Sequence, residues 1–159
     1  MVILFLFTPS FSINGNNVPN QLKLKLDGNT VWDALAGFPG IGTLLPLMLS
    51  EGVNKNKITI SQLVNLTSMN AAKIFGMYPT KGSLELNSDA DITLIDLKKE
   101  QKVTSDLFGG FSDYIVYDGW KLKGWPVKTI VRGQTIAEDF QVIGKPGYGK
   151  LVSRKTNST

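Results

Sequence analysis

Two aspartates separated by one residue form the side-chain pair in this sequence whose spacing most directly suggests chemistry. Asp89 and Asp91 stand in SDADITLIDL, residues 88–97, just before an apolar run. Two carboxylates on one side of an extended chain can bind a cation or share a proton, but calcium and magnesium take six or more oxygen ligands. Asn87 tolerates a left-handed backbone, and Ser88 and Asp89 can hydrogen-bond within their own turn. The sequence therefore favours a turn over a metal site.

A second segment imitates a phosphate-binding loop. GKPGYGK, residues 144–150, fits the spacing G-x-x-x-x-G-K. The motif requires Ser or Thr after the lysine, but Leu151 stands there, and Pro146 removes a backbone donor. Only eight residues follow Leu151, too few for the helix and parallel strand that the motif serves. We interpret the segment as a Gly-rich C-terminal arm.

The sequence contains neither histidine nor cysteine, and this excludes several classes of site. A serine nucleophile has no histidine base here, and no Ser-to-Lys spacing resembles a known catalytic dyad. A disulfide framework and a thiolate metal site are excluded as well. The cysteine usage suits a reducing compartment, and we expect the cytoplasm.

The composition predicts a globular protein with a basic C-terminal half. Of the 159 residues, 42% are hydrophobic and 19% are charged, which is enough for one core or two small ones. A nucleic-acid interface would add a basic helix or an aromatic stacking platform to the positive charge. We interpret the excess of Lys and Arg over Asp and Glu as a solvated face and a basic tail. The formal net charge is +4, and the late basic residues are Lys121, Lys123, Lys128, Lys145, Lys150, Arg154 and Lys155.

The N-terminal half is predicted to contain a strand, a loop and helices. Val2 to Phe7 is a continuous apolar run, typical of a strand buried on both faces of a parallel sheet and too short to span a bilayer. Residues 12–29 are rich in Asn and Gly and predict a loop. Thr43 is predicted to cap a helix that has Pro46 in its first turn.

A capping box predicts the next helix. In TISQ, residues 59–62, Thr59 can cap the helix and Gln62 can reach back to it. The pattern predicts a new helical turn at Ser68 or Asn70 and a helix end at Gly76.

From Tyr78 onward the pattern changes to short β-branched runs separated by turn residues. The runs are DITLIDL, QKVTS, VKTIVRG, QTIAED and FQVIG, and they predict a small β-sheet or sandwich. Val127 to Ala137 is predicted to form one hairpin that turns at Arg132 and Gly133. The change in pattern places a domain boundary near residue 78. An aromatic stretch within this half is predicted to serve as core or interface: Phe111, Tyr114, Tyr117, Trp120 and Trp125.

Three segments in order carry a family resemblance. They are LTSMNAAKIFGMYPTKGSLELNSDADITLIDL, YDGWKLKGWPVKTIVRGQTIAED and GKPGYGK. Together they resemble the C-terminal part of the cyclic amidohydrolases, dihydroorotases first, then allantoinases and hydantoinases or dihydropyrimidinases. In that family a (β/α)8 barrel carries a two-zinc site of histidines, a carboxylated lysine and an aspartate, beside a small β-sandwich. The resemblance implies an α/β plus β fragment: residues 1–78 a remnant of the last barrel strand and its helices, and residues 79–159 the C-terminal share of the sandwich with a C-terminal arm.

The sequence departs from the family pattern where the chemistry would lie. The family's last barrel strand ends in a segment like SDHAP, whose aspartate binds metal and accepts a proton. The corresponding LFLFTPSFS has neither Asp nor His, and the other metal ligands would belong to strands upstream of Met1. The loop GFPG does match the family's substrate site. The resemblance thus implies a substrate-binding backbone at Gly37, Phe38, Pro39 and Gly40.

These comparisons within the sequence imply a fragment or truncated homologue of a dihydroorotase-like amidohydrolase. Full-length relatives hydrolyse cyclic amide C–N bonds with two zinc ions in pyrimidine metabolism. We expect no catalytic residue, metal ligand or cofactor in this chain, and no activity alone. The alternative is a non-catalytic assembly module that binds a full-length amidohydrolase paralogue. The expected partner is a second copy of this chain or such a paralogue. We expect no binding to nucleic acid or membrane. A cyclic amide substrate is expected only in a complete enzyme.

Overall fold

One five-stranded antiparallel sheet organises the chain. The structure, a computed structural model, describes residues 2–4, 39–108 and 112–153, together with residues 22, 26–28, 30, 32 and 33. Each strand pairs with its neighbours in chain order. The strands are β1 (Val2–Leu4), β2 (Ile92–Lys102), β3 (Lys121–Val131), β4 (Gln134–Glu138) and β5 (Gln141–Val142).

The N-terminal apolar run forms a strand, but not the expected kind. Val2 lies opposite Ile95 and Leu4 lies opposite Thr93, in antiparallel register. The prediction of a parallel-sheet strand is therefore wrong for Val2–Leu4, and residues 5–7 lie outside the described residues. A continuous apolar run indicates burial on both faces without fixing the direction of the neighbouring strand.

Strand β2 joins two runs that the sequence pattern separates. DITLIDL and the start of QKVTS belong to one strand with an irregularity between Asp96 and Glu100. There the Asp96 Oδ1 atom accepts hydrogen bonds from the backbone nitrogens of Lys98 at 2.8 Å and Lys99 at 3.3 Å. The strand thus continues through this bulge, at the point where the alternation of apolar and polar residues breaks.

The predicted hairpin is confirmed. Strands β3 and β4 pair antiparallel and are joined by Arg132 and Gly133. The φ angles of these residues are 44° and 80°, as a type I′ turn requires.

The first helical run, residues 41–53, begins earlier than predicted. It consists of a 3₁₀ turn (Ile41–Thr43), an α-helical part (Leu44–Leu47) and a π-helical part (Met48–Val53). Thr43 already has helical dihedrals, and its hydroxyl donates back to the Gly40 carbonyl at 2.8 Å. The prediction that Thr43 caps this helix is therefore wrong, because its hydroxyl is used one turn upstream.

The second helical run, residues 60–74, has the predicted capping box. The Thr59 hydroxyl accepts from the Gln62 nitrogen at 3.1 Å, and the Thr59 nitrogen donates to Gln62 Oε1 at 2.8 Å. The run is continuous through Ile60–Val64, a π-helical part at Asn65–Met69 and Asn70–Ile74, so no new start occurs at residue 68 or 70. Gly76 (φ 68°) ends it as predicted, with Gly76 N donating to Lys73 O and Met77 N to Ala72 O.

Two hydrophobic clusters form the core. One consists of Leu45, Leu49, Leu63 and Ile95, and so joins both helical runs to β2. The other consists of Val103, Ile115, Leu122 and Trp125. The first cluster contains residues from both sides of the domain boundary predicted near residue 78. That boundary stays a prediction, and so does the β-sandwich.

A direct contact fastens the first helical run to β3. A Cβ added at Gly124 (φ 97°) would lie 2.9 Å from Leu49 Cβ. The neighbouring Asn54 Nδ2 donates to the Lys123 carbonyl at 2.8 Å.

Across the described ranges, no helix has the length and apolar character needed to cross a membrane.

Candidate functional site

The two aspartates of the opening segment lie at the end of a structured loop. Asn87 has a φ of 73°, which confirms the predicted left-handed residue. The Ser88 nitrogen donates to the Glu85 carbonyl at 3.1 Å, and the Asp89 nitrogen donates to the Thr80 carbonyl at 2.9 Å. The loop therefore folds back on itself before β2 begins.

Both carboxylates bind the same buried cation, Lys81. The Lys81 Nζ atom lies 2.7 Å from Asp89 Oδ2 and is also hydrogen-bonded to Asp91 Oδ2. Lys81 is only 8% exposed. Burial opposes its charge, but the hydrogen bonds that Lys81 donates to both carboxylates outweigh burial and raise the pKa of Lys81. The pair is thus a counter-ion set for an internal lysine.

Asp91 also orients the hairpin turn. Its Oδ1 atom accepts a hydrogen bond from the Arg132 backbone nitrogen at 2.7 Å. Asp91 therefore links the loop before β2 to the turn between β3 and β4, residues that are 41 positions apart. With both oxygens occupied, Asp91 has a structural role in this chain.

A partly open cavity of about 200 Å³ lies beside this ion-pair network. Its apolar wall comes from the second helical run and from the paired ends of β2 and β3. Its polar groups include Lys81 and Asp91 together with hydroxyl residues of the helix and the strands. The lining residues are Ser68, Ala72, Lys81, Gly82, Asp91, Ile92, Thr93, Thr129, Ile130 and Val131.

Half of the predicted substrate loop lies within the described residues. Gly37 and Phe38 lie outside them, whereas Pro39 and Gly40 directly precede the first helical run. The Gly40 carbonyl accepts from both the nitrogen of Thr43, at 3.1 Å, and its hydroxyl, at 2.8 Å. That carbonyl is already engaged, so any ligand contact of Gly40 would fall to its N–H group.

An aromatic ring packs against the start of the first helical run, just after this loop. A Cβ added at Gly42 would lie 2.5 Å from Phe108 Cδ1, so the Phe108 ring packs directly on the backbone of the 3₁₀ turn Ile41–Thr43. Phe108 stacks on buried Trp125 with ring centroids 6.3 Å apart, and Trp125 Nε1 donates to the Leu122 carbonyl at 2.9 Å. Trp125 therefore belongs to the core, as predicted for the aromatic stretch, whereas Trp120 is half exposed and Phe111 lies outside the described residues.

The arm GKPGYGK has none of the architecture of a phosphate-binding loop. Residues 143–153, where the structure describes the chain after β5, contain no helix. Tyr148 instead attaches the arm to the hairpin turn, because the Arg132 guanidinium stacks 4.3 Å from the centroid of its ring. The sequence pattern does not reveal this attachment, and the division of the chain into a sandwich segment and a C-terminal arm stays a prediction.

The sequence matches a known family over most of its length. The amidohydrolase family pattern matches residues 34–136. The chain belongs to the amidohydrolase family.

The relatives of this amidohydrolase chain are enzymes named for cyclic amides. It is 41% identical to the L-hydantoinase of Paenarthrobacter aurescens over 125 residues, which are 79% of this chain and 27% of the relative. It is 38% identical to the dihydroorotase of Pyrococcus furiosus over 142 residues, which are 89% of this chain and 32% of the relative. The chain thus spans about a quarter to a third of the length of the relatives it matches.

Solved structures give the same answer about the fold. The D-hydantoinase of Bacillus sp. AR9 superposes with a TM-score of 0.80 at 31% identity, covering 86% of this chain and 30% of that one. The L-hydantoinase of Arthrobacter aurescens superposes with a TM-score of 0.74 at 41% identity, covering 78% and 28%. The architecture is therefore a fragment of the amidohydrolase fold.

The residues present do not fit the two-zinc site that the family resemblance implies. The chain has no histidine or cysteine. Within the described ranges, no group of three or more acidic residues lies close enough together to hold a metal ion. The nearest candidate pair, Asp89 and Asp91, already binds the ammonium group of Lys81.

Proposed function

We propose that this chain is the C-terminal part of a dihydroorotase-like cyclic amidohydrolase of pyrimidine biosynthesis, inactive by itself. The observation that carries the proposal is the match to about 27% to 32% of each relative by a sequence without histidine or cysteine. A metal-bound hydroxide needs three or more N, S or O ligands to hold its metal. In a complete enzyme, this chain would contribute loop backbone at Pro39 and Gly40. The cytoplasm stays its predicted location.

The extent of the alignments supports a dihydroorotase-like assignment. The dihydroorotase of Pyrococcus furiosus aligns with 142 residues of this chain, and that of Pyrococcus horikoshii with 140 residues at 40% identity. The L-hydantoinase aligns with 125 residues and the D-hydantoinase of Geobacillus stearothermophilus with 118. The L-hydantoinase has the higher identity, 41% against 38% and 40% for the two dihydroorotases, so we propose a cyclic amide as the substrate of the complete enzyme, with dihydroorotate as the first compound to test.

Metal content and turnover test the proposal together. After dialysis, elemental analysis of the purified chain should find no stoichiometric zinc. Hydrolysis of dihydroorotate, hydantoin and allantoin should stay at the level of a buffer blank, with the Pyrococcus furiosus dihydroorotase as positive control. One or two tightly held zinc ions per chain would contradict the proposal. So would steady turnover by a preparation free of host enzyme, whether or not a chelator stops it.

A second candidate, an assembly module, rests on exposed apolar side chains. Ile74 is 76% exposed and Leu86 is 95% exposed. Both lie within residues 34–136, which match the family pattern. We propose as the alternative that the chain binds a second copy of itself or a full-length amidohydrolase paralogue. Co-purification of the chain with a tagged full-length paralogue would support this role, and separate elution of the two proteins at micromolar concentration would contradict it.

A further inference from the structure

The C-terminal arm leaves the sheet at a defined point. The backbone nitrogens of Ile143 and Gly144 both donate to the Ile136 carbonyl at 2.9 Å, which continues the edge formed by β4 and β5. Beyond this point the chain is mostly exposed, and Leu151 is 98% exposed. We call residues 145–153 the strap.

One residue attaches the strap to the sheet. The Tyr148 hydroxyl donates to the Val131 carbonyl at 3.2 Å, and the Tyr148 carbonyl accepts from the Arg132 guanidinium. The Arg132 guanidinium also lies over the Tyr148 ring at 4.3 Å. Among the strap residues that the structure describes, Tyr148 makes every hydrogen bond to the sheet.

Arg132, which contacts Tyr148, is held in place independently of the strap. Arg132 is fixed by the type I′ turn and by the hydrogen bond from its nitrogen to Asp91 Oδ1 at 2.7 Å. Asp91 is in turn bound to the buried Lys81. Because this network does not involve the strap, Arg132 keeps its position when Tyr148 moves away.

We infer that the strap opens and closes on the sheet through Tyr148 while the sheet stays folded, with Arg132 as the positioning residue. The contacts to be broken are two hydrogen bonds and one cation–π contact, all at the half-buried Tyr148. Val131 and Asp91 also line the cavity, whereas no strap residue is among its lining residues. This inference concerns a movable segment and does not depend on the proposed function.

Limited trypsin digestion of the whole chain tests the strap. Cleavage after Lys150, in the strap, is compared with cleavage after Lys123 and Lys128, in β3. Tyr148→Ala should speed cleavage after Lys150 by about tenfold, since it removes a cation–π contact and a side-chain hydrogen bond. Cleavage in β3 and the melting temperature should stay unchanged. Tyr148→Phe keeps the ring and should have an effect of less than about threefold.

Lys145→Ala is the matched control, because it changes the same strap at an exposed position and should leave the rate after Lys150 unchanged. Equal rates for the wild type and Tyr148→Ala would show that Tyr148 does not hold the strap. A parallel rise in cleavage after Lys123 and Lys128 would show that the strap opens only when the sheet unfolds. Either result would overturn the inference.

Discussion

At the scale of single residues, the aspartate pair shows how far spacing can be interpreted. The turn was predictable, because Asn87 and Ser88 have local preferences that act within a few residues. The partner was not, because Lys81 precedes Asp91 by ten positions along an irregular loop, and no periodicity links such positions. Arg132 and Tyr148 were missed for the same reason, being 16 positions apart.

Replacing the buried lysine should be costly. Lys81→Met would leave Asp89 and Asp91 without their shared counter-ion in a partly buried site, so we expect the free energy of unfolding to fall by about 3 kcal/mol. The control is Lys128→Met, which breaks the more exposed pair with Glu138 at 2.8 Å and should cost less than about 1 kcal/mol. Urea unfolding at pH 7 measures both variants. Equal effects would contradict the role given to Lys81.

The same lysine gives stability a distinct alkaline dependence. The pKa of Lys81 is raised above its ordinary value of 10.5, so the folded state holds this proton more tightly than the unfolded state does. The contribution is fully present below pH 10.5 and is lost as the pH rises through the folded-state pKa. The difference in unfolding free energy between the wild type and Lys81→Met should be constant from neutral pH and shrink above that value. A difference that grows with pH would refute the assignment.

At the scale of elements, features set by local chemistry were predictable and features set by packing were not. The capping box at Thr59, the helix end at Gly76 and the turn at Arg132–Gly133 all match. The π-helical parts, the 3₁₀ start at Ile41–Thr43 and the bulge in β2 were missed. Each departs from a regular period and therefore leaves no periodic signal in the sequence.

A pair of glycines separates packing from backbone strain. Gly124→Ala should lower the unfolding free energy by about 2 kcal/mol or more, because the residue needs a left-handed backbone and its new Cβ would meet Leu49. Gly133→Ala has a comparable φ of 80° but nothing within 4 Å, and should cost about 1 kcal/mol. Chemical denaturation compares the two variants. A Gly133 variant as unstable as the Gly124 variant would refute the close contact between the first helical run and β3.

At the scale of the whole molecule, the family and the fragment were predictable from ordered motifs, but the packing between the halves was not. The first core cluster draws Leu45, Leu49 and Leu63 from before residue 78 and Ile95 from after it. Which apolar faces meet depends on the three-dimensional path of the chain, and an amphipathic pattern shows only that a face is buried. The substrate loop stays a prediction, since Gly37 and Phe38 lie outside the described residues.

The exposed apolar residues predict self-association. Burying apolar surface favours association by about 25 cal/mol per Å² before entropic losses, and large exposed apolar patches are unusual on soluble monomers. Light scattering at micromolar concentration should therefore give a mass above that of one chain. Ile74→Glu should lower this mass, whereas Asn70→Glu, on the same helical run, should not. A monodisperse monomer that binds no hydrophobic dye would rule the prediction out.

The pairing of β1 with β2 sets an order of events during synthesis. Val2 must meet Ile95, a residue made 93 positions later. At roughly 5 to 20 residues per second, the ribosome needs on the order of 5 to 20 s to supply that partner. Until then the nascent strand has no place in the sheet, whereas β3, β4 and β5 can pair with neighbours made moments earlier. Closing the long loop costs entropy that the short hairpins do not, so we expect β1 to pair with β2 more slowly than β4 and β5 pair with their neighbours when the whole chain refolds.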